Sequence, residues 1–312
     1  MSLRSLIAAC ALLAAGGVSA QQEDAGSLLG NAPTDEAAIT ADRNRRMTVP
    51  VTIGGAGPYR FLIDTGAQAT VVTHELVEDL ALRRSGTALL VAMGSSRTVE
   101  TVELDDLEFA NRSVSGLVSP LLQASHVGAD GILGLDSLQD TRVLIDFRER
   151  SMAIADSEYE ESNSGYEIVV RARKKIGQMI ITNARIDGQR VAVVIDTGAQ
   201  TSIGNPVLLR KLRARERHEI TSVDVLGTEL VSSATYLPNL QIGRAELTNL
   251  QVGFSDSPIF AALGLDDQPA LVLGMNTLRV FDRVAIDFSR SRILFDMPSR
   301  RAERERDAHR PS

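Results

Sequence analysis

The chain has 312 residues, 44% of them hydrophobic and 23% charged, with a formal net charge of −7. This balance suits a globular protein large enough for two domains, and it excludes nucleic acid as a main partner, because phosphate binding needs concentrated Lys and Arg. The one cysteine, Cys10, lies in the N-terminal apolar run, so a disulfide framework is excluded, and the chain beyond that run holds no thiolate nucleophile or thiolate metal site.

In chain order, "MSLRS" carries one positive charge, "LIAACALLAAGGV" is apolar and short, and "VSA" ends in small residues. That is the layout of a secretory signal peptide over residues 1–20, cleaved after Ala20. A lipoprotein box at "IAAC", with Cys10 lipidated, is the alternative; the apolar stretch before Cys10 is short for it and continues beyond. No later segment is apolar enough to cross a bilayer. The expectation is an exported protein, periplasmic in a bacterium, with no integral membrane segment. Residues 21–46 read as a polar lead-in.

From Met47 the chain turns to short β-rich runs broken by Gly, among them "MTVPVTIGGAG", "YRFLID", "ALLVAMG", "TVETVEL" and "VLIDF". Residues 156–165, "DSEYEESNSG", suit an acidic linker. β-rich runs then resume with "YEIVVRA", "QMIITNARI", "QRVAVVID", "RVAIDF" and "RILFDM". The pattern predicts an all-β architecture. A helix is expected over "HELVEDLAL" (74–82) and over "NPVLLRKLRARER" (205–217), both with Leu and Val at helical spacing. Residues 299–312 are a charged tail. The four histidines, His74, His126, His218 and His309, match no metal motif, and no metal or other cofactor is expected.

The chain repeats itself. "FLIDTGAQ" at 61–68 returns as "VVIDTGAQ" at 193–200, an offset of 132. "DGILGLDSL" at 130–138 lines up with "ALVLGMNTL" at 270–278, and "VLIDFRERSMAI" at 143–154 with "VAIDFSRSRILF" at 284–295. Order is kept and gaps are small, which implies two copies of one β-rich unit, residues 47–155 and 166–298. A single Asp-Thr-Gly is usually a strand end with a turn. Two copies that each end an apolar strand in Asp are harder to treat as inert, because desolvation opposes the charge.

These residues resemble the retropepsin-like aspartic proteases, the pepsin and retroviral protease group, in the bacterial exported form with two units in one chain. "FLIDTGA" and "VVIDTGA", each followed by an apolar-Gly pair (Leu133-Gly134, Leu273-Gly274), carry the resemblance over residues 47–298. It implies two β-barrel lobes about a pseudo-twofold axis, each with a short helix after its turn. It implies that Asp64 and Asp196 form a catalytic pair acting on a bound water. Two carboxylates on the order of 3 Å apart do not both ionise readily and share a proton. Gly66 and Gly198 would permit the turns, and Thr65 and Thr197 would hydrogen-bond across the lobes. Ala67 and Ala199 stand where pepsin-like enzymes have hydroxyls, so the pair should titrate higher than in pepsin. Hairpins around Gly94-Ser95-Ser96 and Gly227-Thr228 would be flaps over a polypeptide substrate. The first lacks the Tyr of pepsin's flap, which favours a retroviral-like cover. With both halves in one chain, the working unit should be a monomer. A non-catalytic peptide-binding double barrel remains open, as does a carbohydrate-cleaving carboxylate pair, although the latter needs no twofold repeat.

Overall fold

The computed structural model describes residues 6–8, 47–156, 163, 165–212 and 218–298. The rest of the expected signal peptide and lead-in, the charged tail and most of the acidic linker lie outside the described residues. The first unit runs β1 (Leu6–Ala8), β2 (Thr48–Ile53), β3 (Ala56–Ile63), β4 (Val71–Thr73), α1 (His74–Asp79), β5 (Arg84–Val91), β6 (Ser96–Leu104), β7 (Leu107–Phe109), β8 (Arg112–Val114), β9 (Leu117–Leu122), α2 (Ala124–Val127), β10 (Gly131–Leu133), α3 (Leu135–Leu138), β11 (Thr141–Asp146) and β12 (Ser151–Asp156). The second runs β13 (Ile168–Arg171), β14 (Arg173–Lys175), β15 (Gln178–Ile186), β16 (Gln189–Ile195), β17 (Ile203–Gly204), α4 (Pro206–Leu212), β18 (His218–Val223), β19 (Glu229–Ile242), β20 (Ala245–Phe254), α5 (Pro258–Ala262), β21 (Ala270–Leu273), α6 (Met275–Leu278), β22 (Arg283–Asp287) and β23 (Arg292–Asp296). The protein is all-β in two lobes, as the periodicity predicted.

Each lobe threads one strand between two others. β10 lies parallel to β3 and antiparallel to β4. In the second lobe β21 lies parallel to β16 and antiparallel to β17. The strands so flanked, "GIL" and "ALVL", are fully buried, as expected of strands covered on both faces. The glycines after them fit for a packing reason. A Cβ on Gly134 would sit 2.3 Å from the Ala69 carbonyl carbon, and one on Gly274 would sit 2.8 Å from the Ala199 carbonyl oxygen.

The helices after the Asp-Thr-Gly turns are present and capped alike. Thr73 Oγ1 accepts from Leu76 N–H at 3.3 Å, and Asn205 Oδ1 accepts from Leu208 N–H at 2.9 Å, with Pro206 opening α4. α1 is shorter than expected. It stops at Asp79 because Ala81 takes a left-handed φ of 50°. The predicted continuation of α4 over 213–217 lies outside the described residues. The one-turn helices α2, α3, α5 and α6 are too short to show a period.

The third sheet departs from the picture of two lobes joined only by a linker. Its order is β12-β11-β22-β23-β13, so strands of both copies share it. At its centre β11 runs antiparallel to β22, with Val143 opposite Ile286 and Ile145 opposite Val284. All four are buried in one apolar cluster that spans both copies. Phe295 on β23 packs on Phe281 with ring centroids 4.5 Å apart, and both are fully buried. Arg283 extends over the Tyr166 ring and pairs with Asp296 at 2.8 Å. Among the described residues no helix is long and apolar enough to cross a membrane. β1 lies at the edge of the first sheet, parallel to β5 with Leu6 opposite Leu89.

A sheet shared between copies makes the lobes one cooperative unit. Phe295→Ala should cost about 3–5 kcal/mol and leave a single unfolding transition in which both lobes lose protection together. Denaturant unfolding followed by hydrogen exchange in each lobe checks this; two separated transitions would refute it.

Candidate active site

β3 and β16 end in the two Asp-Thr-Gly turns, and the threaded strands hold the turns from behind. Asp64 N–H donates to the Leu133 carbonyl and Asp196 N–H to the Leu273 carbonyl, both at 3.1 Å. Leu135 N–H reaches the Ala67 carbonyl and Met275 N–H the Ala199 carbonyl, both at 2.8 Å. Each of these contacts in one lobe has its counterpart in the other.

The threonines cross between the lobes. Thr65 N–H donates to Thr197 Oγ1 (3.1 Å) and Thr197 N–H to Thr65 Oγ1 (3.2 Å). Thr65 O–H donates to the Ile195 carbonyl (3.0 Å) and Thr197 O–H to the Ile63 carbonyl (2.7 Å). Each hydroxyl thus donates once and accepts once, and each bond crosses the interface. This closed ring brings the two turns together.

Asp64 and Asp196 meet above it. Asp64 Oδ1 accepts from Gly66 N–H (2.8 Å) and Ala67 N–H (3.0 Å), and Asp196 Oδ1 from Gly198 N–H (2.9 Å) and Ala199 N–H (3.0 Å). The two carboxyl groups lie close enough for each charge to bear on the other. Gly198 is required by close approach, since a Cβ there would lie 2.2 Å from Asp64 Oδ2. The Asp64 carboxyl titrates well above the usual carboxylate range, first because it is buried and next because Asp196 faces it, while the Gly66 and Ala67 N–H groups oppose the rise. Ala67 and Ala199 have no hydroxyl to donate. Those residues do donate to the carboxylates, from their backbones.

The expected flap residues lie at two hairpin tips. Gly94 and Ser95 cap the β5–β6 hairpin and Ser96 opens β6; Gly227 and Thr228 lie in the β18–β19 turn. The tips join through Asp224, a residue the sequence reading did not single out. Asp224 Oδ1 accepts from Leu226 N–H and Thr228 N–H, both at 2.9 Å. Its Oδ2 accepts from Gly94 N–H (3.1 Å) and Ser95 O–H (2.9 Å) of the other flap. The tips also exchange apolar side chains. Met93 of the first flap is buried in a second-lobe cluster with Ala199, Ile259 and Phe260, and its carbonyl accepts from Ser257 O–H. Val225 and Leu226 of the second flap are buried with Ala67, Leu122 and Val127 of the first lobe. Asp64 is 1% exposed and Asp196 0%: the cleft is closed.

The sequence reading also missed Gln178 and the pair formed by Thr70 and Asp136. Gln178, fully buried, donates from Nε2 to the Gly66 carbonyl at 2.5 Å, bracing the first turn from the second lobe. Thr70 binds Asp136 and receives the Gly134 N–H; Ser202 receives the Gly274 N–H and meets Asn276. The 132-residue repeat offset links Thr70 to Ser202 and could have found that pair. The turn Asp224-Val225-Leu226-Gly227 has a common first and fourth residue, but nothing in the local sequence marks Asp224's reach to the other flap, and nothing marks Gln178.

Two outcomes follow. The folded state holds the Asp64 proton more tightly than the unfolded chain, so this group's contribution to stability falls as pH rises from about 4 through its raised value. Asn cannot titrate, so Asp64→Asn should gain in Tm relative to wild type between pH 4 and pH 7. A relative loss over that range would contradict the assigned direction. For the flaps, Asp224→Ala removes the acceptor of four hydrogen bonds. Amide exchange at 92–96 and 224–228 should rise about tenfold or more, with β10 and β21 unchanged; equal exchange in wild type and variant would remove the latch.

Residues 49–137 and 182–277 each match the aspartyl protease family. No curated protein matches the chain. Among solved structures it is similar to a retropepsin-like aspartic protease from Rickettsia conorii, at 21% identity and a TM-score of 0.32 over 42% of this chain and 89% of that one. With both copies matched around the paired Asp-Thr-Gly turns, this chain belongs to the aspartyl protease family.

Proposed function

We propose that the protein is an aspartic endopeptidase that hydrolyses peptide bonds with a water activated by Asp64 and Asp196. The observation that carries this reading is the buried, facing pair of carboxyls, held from below by four backbone N–H groups and closed from above by two flaps. In such a pair the ionised partner takes a proton from water as general base, and the protonated partner donates to the scissile carbonyl. Water attacks, and the tetrahedral species collapses as the proton passes to the leaving amine. The pair titrates as a unit, so neither Asp has a fixed resting role. Thr65, Gly66 and Ala67 and their counterparts Thr197, Gly198 and Ala199 act by holding the carboxyls in place. An extended polypeptide enters when the Asp224 bonds to Gly94 and Ser95 open and Met93 withdraws. We further infer a monomer exported to the periplasm that processes exported proteins. The leader-like N-terminus supports the export, and two complete turns in one chain support the monomer.

The alternative is a double barrel that binds peptides without cutting. Incubating the protein with a peptide library, with and without pepstatin, separates the two. Cleavage should be seen, and Asp64→Asn and Asp196→Asn should each lower kcat by about a hundredfold to ten-thousandfold with the fold retained. Peptide retention without cuts by the wild type, or near-wild-type turnover in either Asn variant, would overturn the protease reading.

A further inference from the structure

The net charge is −7, yet one face of the second lobe is basic. A groove of about 510 Å³ runs between β14, the start of β15, β16 and the loop after α5. Arg173, Lys174, Lys175 and Arg190 line it with Leu265 and Pro269, and no carboxylate does so. Two of the three lysines in the whole chain are here. Lys174 Nζ contacts Gln139 Oε1 at 3.2 Å and Lys175 Nζ the Gly264 carbonyl at 3.5 Å, both neutral acceptors. Arg173 and Arg190 form no ion pair among the described residues. Asp266 and Asp267 stand in the same loop, between Leu265 and Gln268, but outside the lining; the four cations that do line the groove repel one another, a cost that an anionic ligand would relieve.

Two further features indicate what kind of anion fits. β14 is the edge strand of its sheet and all three of its residues are exposed, so its outer hydrogen-bonding groups are open to an added strand. The hairpin that carries the groove also touches the first active-site turn. Lys175 is paired across the hairpin with Gln178, and Gln178 donates to the Gly66 carbonyl of the first active-site turn. From the other lobe, Gln68 Nε2 donates to the Ile176 carbonyl at the hairpin tip. From Lys175 to Arg173 is two residues of strand, about 7 Å. Behind the groove wall, Ile180, Ala192 and Leu265 share the apolar cluster that holds Met93 and Ala199.

Resting on the protease reading, we propose that this groove is a substrate subsite for an acidic stretch of polypeptide lying a few residues from the bond to be cut. Its Asp and Glu side chains would meet Arg173, Lys174, Lys175 and Arg190 while its backbone runs along β14. The arginines can grip carboxylates in a bidentate manner. The proposal defines a substrate class by charge and leaves the residues at the scissile bond to the cleft itself.

The test has a binding arm and a cleavage arm. In the first, a fluorescein-labelled hexaglutamate peptide is titrated into full-length Asp64→Asn protein and read by anisotropy. Binding should weaken at least tenfold in the Arg173→Glu/Arg190→Glu variant and severalfold in Arg173→Gln/Arg190→Gln, with Tm unchanged because both side chains are exposed. It should weaken with added salt and vanish for hexaglutamine. In the second arm, a cleaved library peptide carrying a Glu₃ extension is compared with its Gln₃ counterpart on otherwise wild-type protein. The acidic form should have a severalfold lower KM with kcat little changed, and the Glu double variant should abolish or reverse that preference. Equal hexaglutamate binding by wild type and both variants, or equal KM for the two peptides, overturns the proposal. Glutamate-dependent binding without any cleavage would instead overturn the protease reading and leave the groove standing. Cleavage without charge preference would do the reverse. If inorganic phosphate displaces hexaglutamate at equal charge concentration, the site is a general anion site and the polypeptide assignment is wrong.

Discussion

The four hydrogen bonds between the Thr65 and Thr197 turns are the constraint on which the rest depends. Two carboxyls repel when ionised and each loses hydration on burial, so a protein does not hold them together without an opposing structure. Here the opposition is backbone geometry. Each threonine hydroxyl is committed at both ends, to a carbonyl and an N–H of the other lobe. The turns cannot separate without leaving buried donors and acceptors unpaired, which costs about 1–3 kcal/mol for each group. The shared sheet does the same on a larger scale: β11 and β22 fix the lobes side by side through apolar pairs and through Arg142 opposite Asp287. Asp287, although burial pushes it up, is held below the usual carboxylate range by Arg290 N–H, Arg292 and Ser289, so the charge at this seam stays on.

The flaps reuse this logic with weaker parts. Asp224 forms two bonds within its own flap and two to the other. The inner pair shapes the turn and the outer pair joins the tips. Only the outer pair and the seating of Met93, Val225 and Leu226 need to be given up on opening, while the β-hairpins themselves persist. Gly227, at φ 79°, lets the second tip turn tightly against the His126 ring, where a Cβ would sit 2.5 Å from Cε1. The closed cleft is therefore a packed state with defined contacts, and the burial that lifts the Asp64 titration belongs to it.

Most of this was legible in the sequence wherever the chain repeated itself. The doubled "DTGAQ" exposed the carboxyl pair, the apolar-Gly pairs exposed the threaded strands, and Gly94 and Gly227 marked the hairpin tips. Contacts that cross between copies at positions the repeat does not relate were not legible. Asp224 meets Gly94 across 130 residues, and Gln178 meets Gly66 across 112. Neither pairing has a local period or a counterpart at the repeat offset, and the turn signature at Asp224 gives its own hairpin and not its partner. The shared sheet was hidden for a related reason. "VLIDF" and "VAIDF" each read as a strand, but a strand's pattern gives its buried face and not which neighbour covers its edge.

Duplication within one chain also frees the halves to differ, and the differences fall outside the chemistry. The Asp-Thr-Gly-Ala-Gln turns are identical, and their hydrogen bonds agree to within about 0.1 Å. One step further out the copies diverge. Thr70 with Asp136 becomes Ser202 with Asn276, exchanging an acid, its titration raised by desolvation, for a neutral amide. Met93 enters one lobe where Val225 and Leu226 enter the other. Arg190 of the basic groove stands at the offset position of Pro58. A twofold pair of identical chains could not place four cations on one side of the cleft without placing four on the other. An extended peptide has direction, and in the proposed complex its two ends would meet different surfaces. In the proposed reaction the symmetric centre would serve the water and the carbonyl, which are the same in every peptide bond, and the asymmetric surround is where one polypeptide would be told from another.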